Sequence, residues 1–205
     1  MSSTSTSSYY SECTWLSSFL SKPEFQLLLT TVPLTYFQES LSLYGLEQEI
    51  DYFKEALSLI LNNQYDCDES ETDKVERSAT ILYAKAHQRY IRTAAALDEV
   101  KTAFQNGNYG TCPRNSCQNQ HMLPFGASND PGKSILRCYC PVCGQLYKLY
   151  QANADYYIDG CFFGSDLVGI FLATYPEFTR YPKPAAYVPK VYGFELYKNM
   201  KGKAK

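Results

Sequence analysis

The chain has 205 residues, 45% of them hydrophobic, which is enough for one or two domains with a buried core. Nineteen Lys and Arg against 21 Asp and Glu give a net charge of -2, so the composition disfavours a nucleic-acid partner. No apolar run approaches the ~20 residues that cross a bilayer, which predicts a protein outside the membrane. The 19 Tyr and 11 Phe indicate a protein interface or, equally well, an aromatic core.

The first residues predict a disordered tail over 1–14. Eight of the first twelve residues are Ser or Thr, and no apolar period is present. This stretch also lacks the basic and apolar regions of a secretion signal, so we expect the chain to stay in the cytoplasm and nucleus with reduced cysteines.

Residues 15–107 have the apolar period of helices. Thr35 and Gln38 are spaced as a capping box, and Gly45 is placed as the left-handed residue after that helix. A second helix is predicted around Ile50 and Ile60, where apolar residues recur at spacings of three and four.

An acidic loop is predicted at 64–73, before the longest helix. Its carboxylates are Asp66, Asp68, Glu69, Glu71 and Asp73. Asp73 and Glu76 together resemble a further N-terminal cap. A single helix is then expected to continue to Asn106-Gly107. Its predicted buried positions are Val75, Ala79, Leu82, Ala86, Leu97, Val100 and Phe104.

Residues 108–180 change to short strands between turns, with strand candidates at 122–125, 135–139 and 146–150. Two cysteine pairs, spaced C-x4-C and C-x2-C, can close one tetrahedral Zn²⁺ site. These ligands are Cys112, Cys117, Cys140 and Cys143. Four cysteine ligands leave no open position, so the metal is predicted to be structural. Disulfides are the alternative. Cys138 is set aside because Cys140-Pro141-Val142-Cys143 makes the better metal-binding turn.

A short helix is predicted at 166–174, followed by a C-terminal segment over 181–205, in which residues 181–197 are expected to be extended because prolines forbid regular helix. Tyr192 and Phe194 flank Gly193, and two rings beside a tight turn can anchor a partner. The alternative is that they pack on their own domain. The last eight residues hold four lysines and predict a solvated tail, or a weak basic patch for an acidic partner.

These residues resemble one family, the regulatory (beta) subunit of the protein kinase casein kinase II. The resemblance covers nearly the whole chain and rests on many motifs in order. The densest are Gly110–Arg114, Asp130–Gly132, Tyr139–Cys143, Asp159–Gly160 and Val188–Phe194.

The resemblance implies a noncatalytic subunit that forms a homodimer through its zinc ribbon and binds two catalytic subunits in a two-plus-two holoenzyme acting on protein substrates. It implies dimer contacts at Pro113, Leu146 and Tyr147, and a kinase-binding tip at Tyr192 and Phe194. The sequence agrees, because it contains no phosphate loop, H-R-D or D-F-G motif of a kinase. His87 is expected to make a structural hydrogen bond.

Three departures from the family pattern limit this transfer. Asn115 and Ser116 replace apolar residues, which predicts a more polar dimer contact. The N-terminal tail lacks the acidic serine cluster that relatives phosphorylate, and Phe53 replaces the arginine of a destruction box. Ser70, with acidic residues at +1 and +3, becomes a candidate phosphosite, and an unmodified loop is the alternative.

The sequence therefore predicts an α+β protein in which a helical domain precedes a zinc ribbon with four cysteine ligands and an extended C-terminal segment. The predicted function is that of a regulatory subunit of an acidophilic Ser/Thr kinase. A zinc-ribbon transcription or nucleic-acid-binding factor is the alternative, and it lacks the required basic stripe.

Overall fold

The computed structural model describes residues 14–149, 157–179 and 188–195, and it has the predicted α+β class, with helices followed by small antiparallel sheets. The predictions for most of the N-terminal tail and for the lysine-rich tail lie outside the described residues. The first helices are α1 (Trp15–Leu20), α2 (Leu34–Gln38), α3 (Leu46–Glu49) and α4 (Phe53–Ile60). They are followed by α5 (Thr72–Tyr90), α6 (Ala94–Gln105) and α7 (Leu167–Thr174).

The predicted helix over 35–44 is wrong beyond Gln38. Pro33 precedes α2 and makes no side-chain cap, so the expected capping box does not form. After α2 the chain becomes a loop, because the Arg89 guanidinium donates to the carbonyls of Ser42 and Tyr44 at 3.0 and 2.9 Å. Gly45 does have a positive φ of 82°, but it is the N-cap residue of α3 and does not end a preceding helix.

The second predicted helix is interrupted, and its apolar stripe is buried at its two ends and half-buried between them. Ile50 and Ile60 are both buried, but the chain leaves the helical conformation between α3 and α4. Tyr52 has a φ of 52°, and its hydroxyl donates to Glu71 at 2.6 Å. This tertiary hydrogen bond holds the tyrosine in a conformation that its local sequence does not predict.

The long helix is two helices, α5 and α6, so the prediction of one continuous element is wrong. Thr93 caps α6 by accepting a hydrogen bond from the Ala96 amide. The expected cap at Asp73 is also wrong, because α5 begins at Thr72 and places Asp73 in its first turn. All seven predicted core positions are buried, since each half keeps the helical period.

The ribbon sheet confirms the three predicted strands, with shorter ends. It consists of β1 (Leu123–Phe125), β2 (Arg137–Tyr139) and β3 (Leu146–Lys148), antiparallel in the order β1-β2-β3. Gly126, directly after β1, approaches the backbone of Gly160 so closely that a methyl group there would collide with the carbonyl. A glycine is therefore required where the sheet meets the following turn.

The 3-10 turn Gly160–Phe162 joins the ribbon to the helices. The ring nitrogen Nδ1 of His87 lies 2.8 Å from the Phe162 carbonyl, and Gln88 donates to the Cys161 carbonyl at 2.7 Å. The Phe162 ring contacts Phe25 with centroids 5.4 Å apart.

In the same aromatic group, Trp15 is stacked on Phe19 with ring centroids 4.9 Å apart, and Phe19 in turn packs on Phe25 at 4.7 Å. The buried side chains of helices and ribbon form one apolar cluster. Most of the aromatic residues that the structure describes thus belong to this core or pack against it.

Candidate metal centre and exposed hairpin

Two backbone turns bring the cysteine pairs together. In the first, the Cys112 amide donates to the Gln120 carbonyl at 2.8 Å, and Cys117 ends the 3-10 turn Asn115–Cys117. In the second, Cys140 follows β2, and the Gly144 amide donates back to its carbonyl at 2.8 Å. Gly144 has a φ of 67°, which lets the chain reverse beside the sulfurs.

The four sulfurs fit a zinc ion. All four Sγ atoms lie within 4.8 Å of one another, and those of Cys112 and Cys143 are 3.9 Å apart. A tetrahedral ZnS₄ centre with Zn–S of ~2.3 Å places its sulfurs ~3.8 Å apart. Three of these cysteines are buried and Cys143 is half-buried, so the donors surround a closed position. Such a centre supports a fold and has no place for a substrate.

Cys138 is not part of this cluster. It is completely buried in β2, and burial raises the pKa of its thiol to about 12. A protonated thiol behaves as a small hydrophobic side chain.

Cys143 is the ligand whose surroundings most favour a thiolate. Burial raises its pKa, but hydrogen bonds from the Tyr147 hydroxyl, the Gln145 amide and the neighbouring thiols outweigh burial and lower it to about 7. Tyr147 was predicted as a dimer residue, and here its hydroxyl oxygen lies 3.3 Å from the Cys143 sulfur. The two residues are four apart across a turn, and no sequence pattern indicates this contact.

The predicted dimer residues lie around the metal cluster. Pro113 is exposed in the first turn, Leu146 on β3 is 45% exposed, and Tyr147 is half-buried. Asn115 and Ser116 are exposed beside Pro113. Because β3 is the last strand of its sheet, its outer edge can pair with another strand.

The predicted kinase-binding tip is a hairpin made of β4 (Lys190–Val191) and β5 (Phe194–Glu195). Tyr192 and Gly193 form its two-residue turn with φ of 51° and 87°, as a type I′ turn requires. Tyr192 is 98% exposed and Phe194 is 79% exposed. The two rings are therefore free to contact a partner.

The acidic loop is exposed at most of its carboxylates. Asp66, Asp68 and Glu69 face solvent, as does Ser70 in the 3-10 turn Glu69–Glu71 before α5. Glu71 differs, because its carboxylate accepts the Tyr52 hydrogen bond and lies 3.5 Å from the Lys74 ammonium.

His87 does not take part in acid–base chemistry near neutral pH. It is completely buried, and this burial lowers its pKa to about 4 despite the bond to the Phe162 carbonyl. Its Nε2 atom meets no hydrogen-bond partner among the residues described. The predicted structural role is confirmed by the bond at Nδ1.

Comparison with known proteins agrees with this geometry. The family model of the casein kinase II regulatory subunit matches residues 14–195. The chain belongs to this family.

Curated relatives include casein kinase II subunit beta of Dictyostelium discoideum, 35% identical over 82% of this chain and 63% of the relative. The subunit beta-2 of Neurospora crassa is 32% identical over 79% of this chain and 57% of the relative. The subunit beta-2 of Schizosaccharomyces pombe is 33% identical over 94% and 77%. The chain thus spans about three fifths of the first two relatives.

Within the part of the chain that the structure describes, no helix is both long enough and apolar enough to cross a bilayer.

Proposed function

We propose that this chain is the noncatalytic regulatory subunit of an acidophilic Ser/Thr kinase. In this proposal it dimerises through the zinc ribbon, binds two catalytic subunits and tunes their choice of protein substrates in the cytoplasm and nucleus. Family membership supports the assignment. The division into 1–14, 15–107, 108–180 and 181–205 stays a prediction, with the ribbon as the dimerisation unit and the last segment as the kinase-binding unit.

The observation that carries the proposal is the hairpin of residues 190–195. Every one of its six residues is exposed, including two aromatic rings that a chain would otherwise bury. Its turn and the cross-strand Lys190–Glu195 ion pair at 3.5 Å hold the rings on a defined backbone. Aromatic side chains presented in this way are the usual anchors of protein interfaces.

The zinc ribbon supplies the second part of the proposal. A closed centre of four cysteine ligands stiffens both turns, so the exposed surface around Pro113 and Leu146 keeps one shape. Asn115 and Ser116 make this surface more polar, which favours a weaker dimer than an apolar contact would give.

The double change Tyr192→Ala with Phe194→Ala tests the proposal. We expect the affinity for a casein kinase II catalytic subunit to fall roughly a thousandfold, because each anchor contributes on the order of 2 kcal/mol. Calorimetric titration measures the affinity, while metal analysis and light scattering verify that zinc content and dimerisation are unchanged.

Leu27→Ala is the matched control, since Leu27 is 79% exposed and lies in the helical region. It should leave kinase binding intact. An unchanged affinity of the double variant would contradict the proposed interface. Loss of dimerisation in this variant would show that the two rings support the dimer instead.

A further inference from the structure

A groove lies between loop 39–45 and the helices α2 and α4. Its volume is about 530 Å³, within the range of ~300–1,000 Å³ of ligand-binding clefts. Phe37 and Leu43 are buried at its base, and the half-buried side chains of Phe53 and Leu57 line its side. The groove therefore has an apolar interior that is open to solvent.

Loop 39–45 has two large exposed apolar side chains, one of which lines the groove. Tyr44 lines the groove and is 80% exposed, and Leu41, in the same loop, is 85% exposed. The Arg89 guanidinium holds the loop through the carbonyls of Ser42 and Tyr44, and the Ser42 hydroxyl donates to the Glu39 carboxylate at 3.1 Å. Because the backbone of the loop is already fixed in this way, it loses little entropy when a partner binds.

The chain segment that forms most of the groove is mainly acidic, although the Arg89 guanidinium also lies against loop 39–45. Between residues 39 and 55 the sequence has a single basic residue, Lys54. The same stretch has five carboxylates, namely Glu39, Glu47, Glu49, Asp51 and Glu55. Glu47 lines the groove itself, and Glu49, which lies 3.7 Å from the Lys85 ammonium, is still 55% exposed. An apolar cleft with an acidic surround complements a basic segment that carries a large apolar side chain.

We propose that this groove is a docking site for a basic peptide segment of a protein partner, with one aromatic or aliphatic side chain inserted between Phe37, Phe53 and Tyr44. The site is separate from the zinc ribbon and from the hairpin, and it functions with or without a catalytic subunit. The groove gives the helical region its own binding function.

The test uses the full chain with zinc and a fluorescein-labelled synthetic peptide in which one tryptophan is flanked by lysines. Fluorescence anisotropy at low salt should show saturable binding that weakens as salt screens the charges. Replacing the tryptophan by alanine, or the lysines by glutamates, should each weaken binding about tenfold or more.

Variants of the protein locate the site. Leu41→Ser with Tyr44→Ser should weaken peptide binding about tenfold, and Glu47→Lys should weaken it while flattening the salt dependence. These three side chains are exposed, so the fold tolerates the changes. Leu27→Ser is the control, since Leu27 is equally exposed but lies outside the groove, and it should bind the peptide normally.

Several results would overturn the proposal. They are absence of binding, equal binding of the glutamate peptide, or normal binding by the Leu41 and Tyr44 variant. Two other occupants are also tested. If the dimer dissociates when Leu41 and Tyr44 are changed, the groove holds a second copy of the chain. If peptide binds only after the lysines between residues 198 and 205 are changed to glutamine, the chain's own basic segment is the occupant.

Discussion

In the helical region, large side chains such as Phe37 and Tyr83 are almost completely buried, whereas each strand of the ribbon sheet has only three residues. On β3, Leu146 and Lys148 are both exposed. Strands this short bury too little apolar surface to stabilise a sheet alone. A metal bound by the clustered cysteines would supply the missing stability. The helical region is therefore stabilised mainly by burial of apolar side chains, and the ribbon depends on metal binding by its cysteines.

Cys140→Ser separates the two regions most strongly. Structural zinc can supply ~10–16 kcal/mol of apparent binding energy that also stabilises the fold, so we expect the variant to lose stoichiometric zinc and the dimer while α1–α6 stay helical. Metal analysis, light scattering and circular dichroism measure these effects. Cys138→Ser is the matched control, because it changes a buried cysteine outside the cluster and should retain zinc. If the Cys140 variant lacks zinc and still forms a full dimer, the ribbon does not depend on its metal.

Phe162→Ala addresses the contact between the regions. This ring packs on Phe25 and His87, so its removal should lower the free energy of unfolding by about 3–5 kcal/mol. Denaturant unfolding monitored on each region separately should show both transitions moving together. Phe194→Ala, at an exposed ring, should change stability by less than about 0.5 kcal/mol. If only one transition moved, the two regions would unfold independently.

Acid should weaken the same contact through His87. Its pKa of about 4 in the fold lies below the ordinary 6.5, so the unfolded chain takes up a proton first as the pH falls below 6.5. The stability that depends on neutral His87 is complete above pH 6.5 and is lost towards pH 4. At pH 5 the loss should be about 2 kcal/mol.

His87→Gln removes this titration, and both proteins keep the same metal ligands. The difference in their free energies of unfolding should therefore shift by that amount between pH 7.5 and pH 5. A difference that does not change with pH would show that His87 is not kept neutral by the fold.

Phosphorylation of Ser70 is expected to have the smallest effect. The phosphate would stand before the first turn of α5, where helix amides favour negative charge, but Asp66, Asp68 and Glu69 oppose it. We expect a stability change within about 0.5 kcal/mol and a more acidic surface. Incubation with the catalytic subunit and ATP, followed by phosphopeptide mapping with Ser70→Ala as control, measures it. Labelling of other serines alone would rule the site out.

The metal cluster and the ribbon strands could be predicted from the sequence, because ligand spacing and turn residues are local. The break between α5 and α6 at Ile91–Thr93 could not be predicted, because the apolar period continues through it. Only the cap at Thr93 marks the start of the new helix. Loop 39–45 and Tyr52 were missed for another reason. Arg89 binds the backbone of the loop, and Glu71 binds the side chain of Tyr52, from positions 19 to 47 residues away. Local propensity contains no information on such partners.

The stacking of Trp15 on Phe19 has an optical consequence. Because this is the chain's single tryptophan and it lies in α1, its emission reports on the helical region alone. The thiolates of Cys112, Cys117, Cys140 and Cys143 would give the ribbon a separate signal, since cobalt bound in place of zinc absorbs visible light according to its ligands and geometry. One sample thus gives two separate optical signals, and heating it shows whether the helical region and the ribbon melt together.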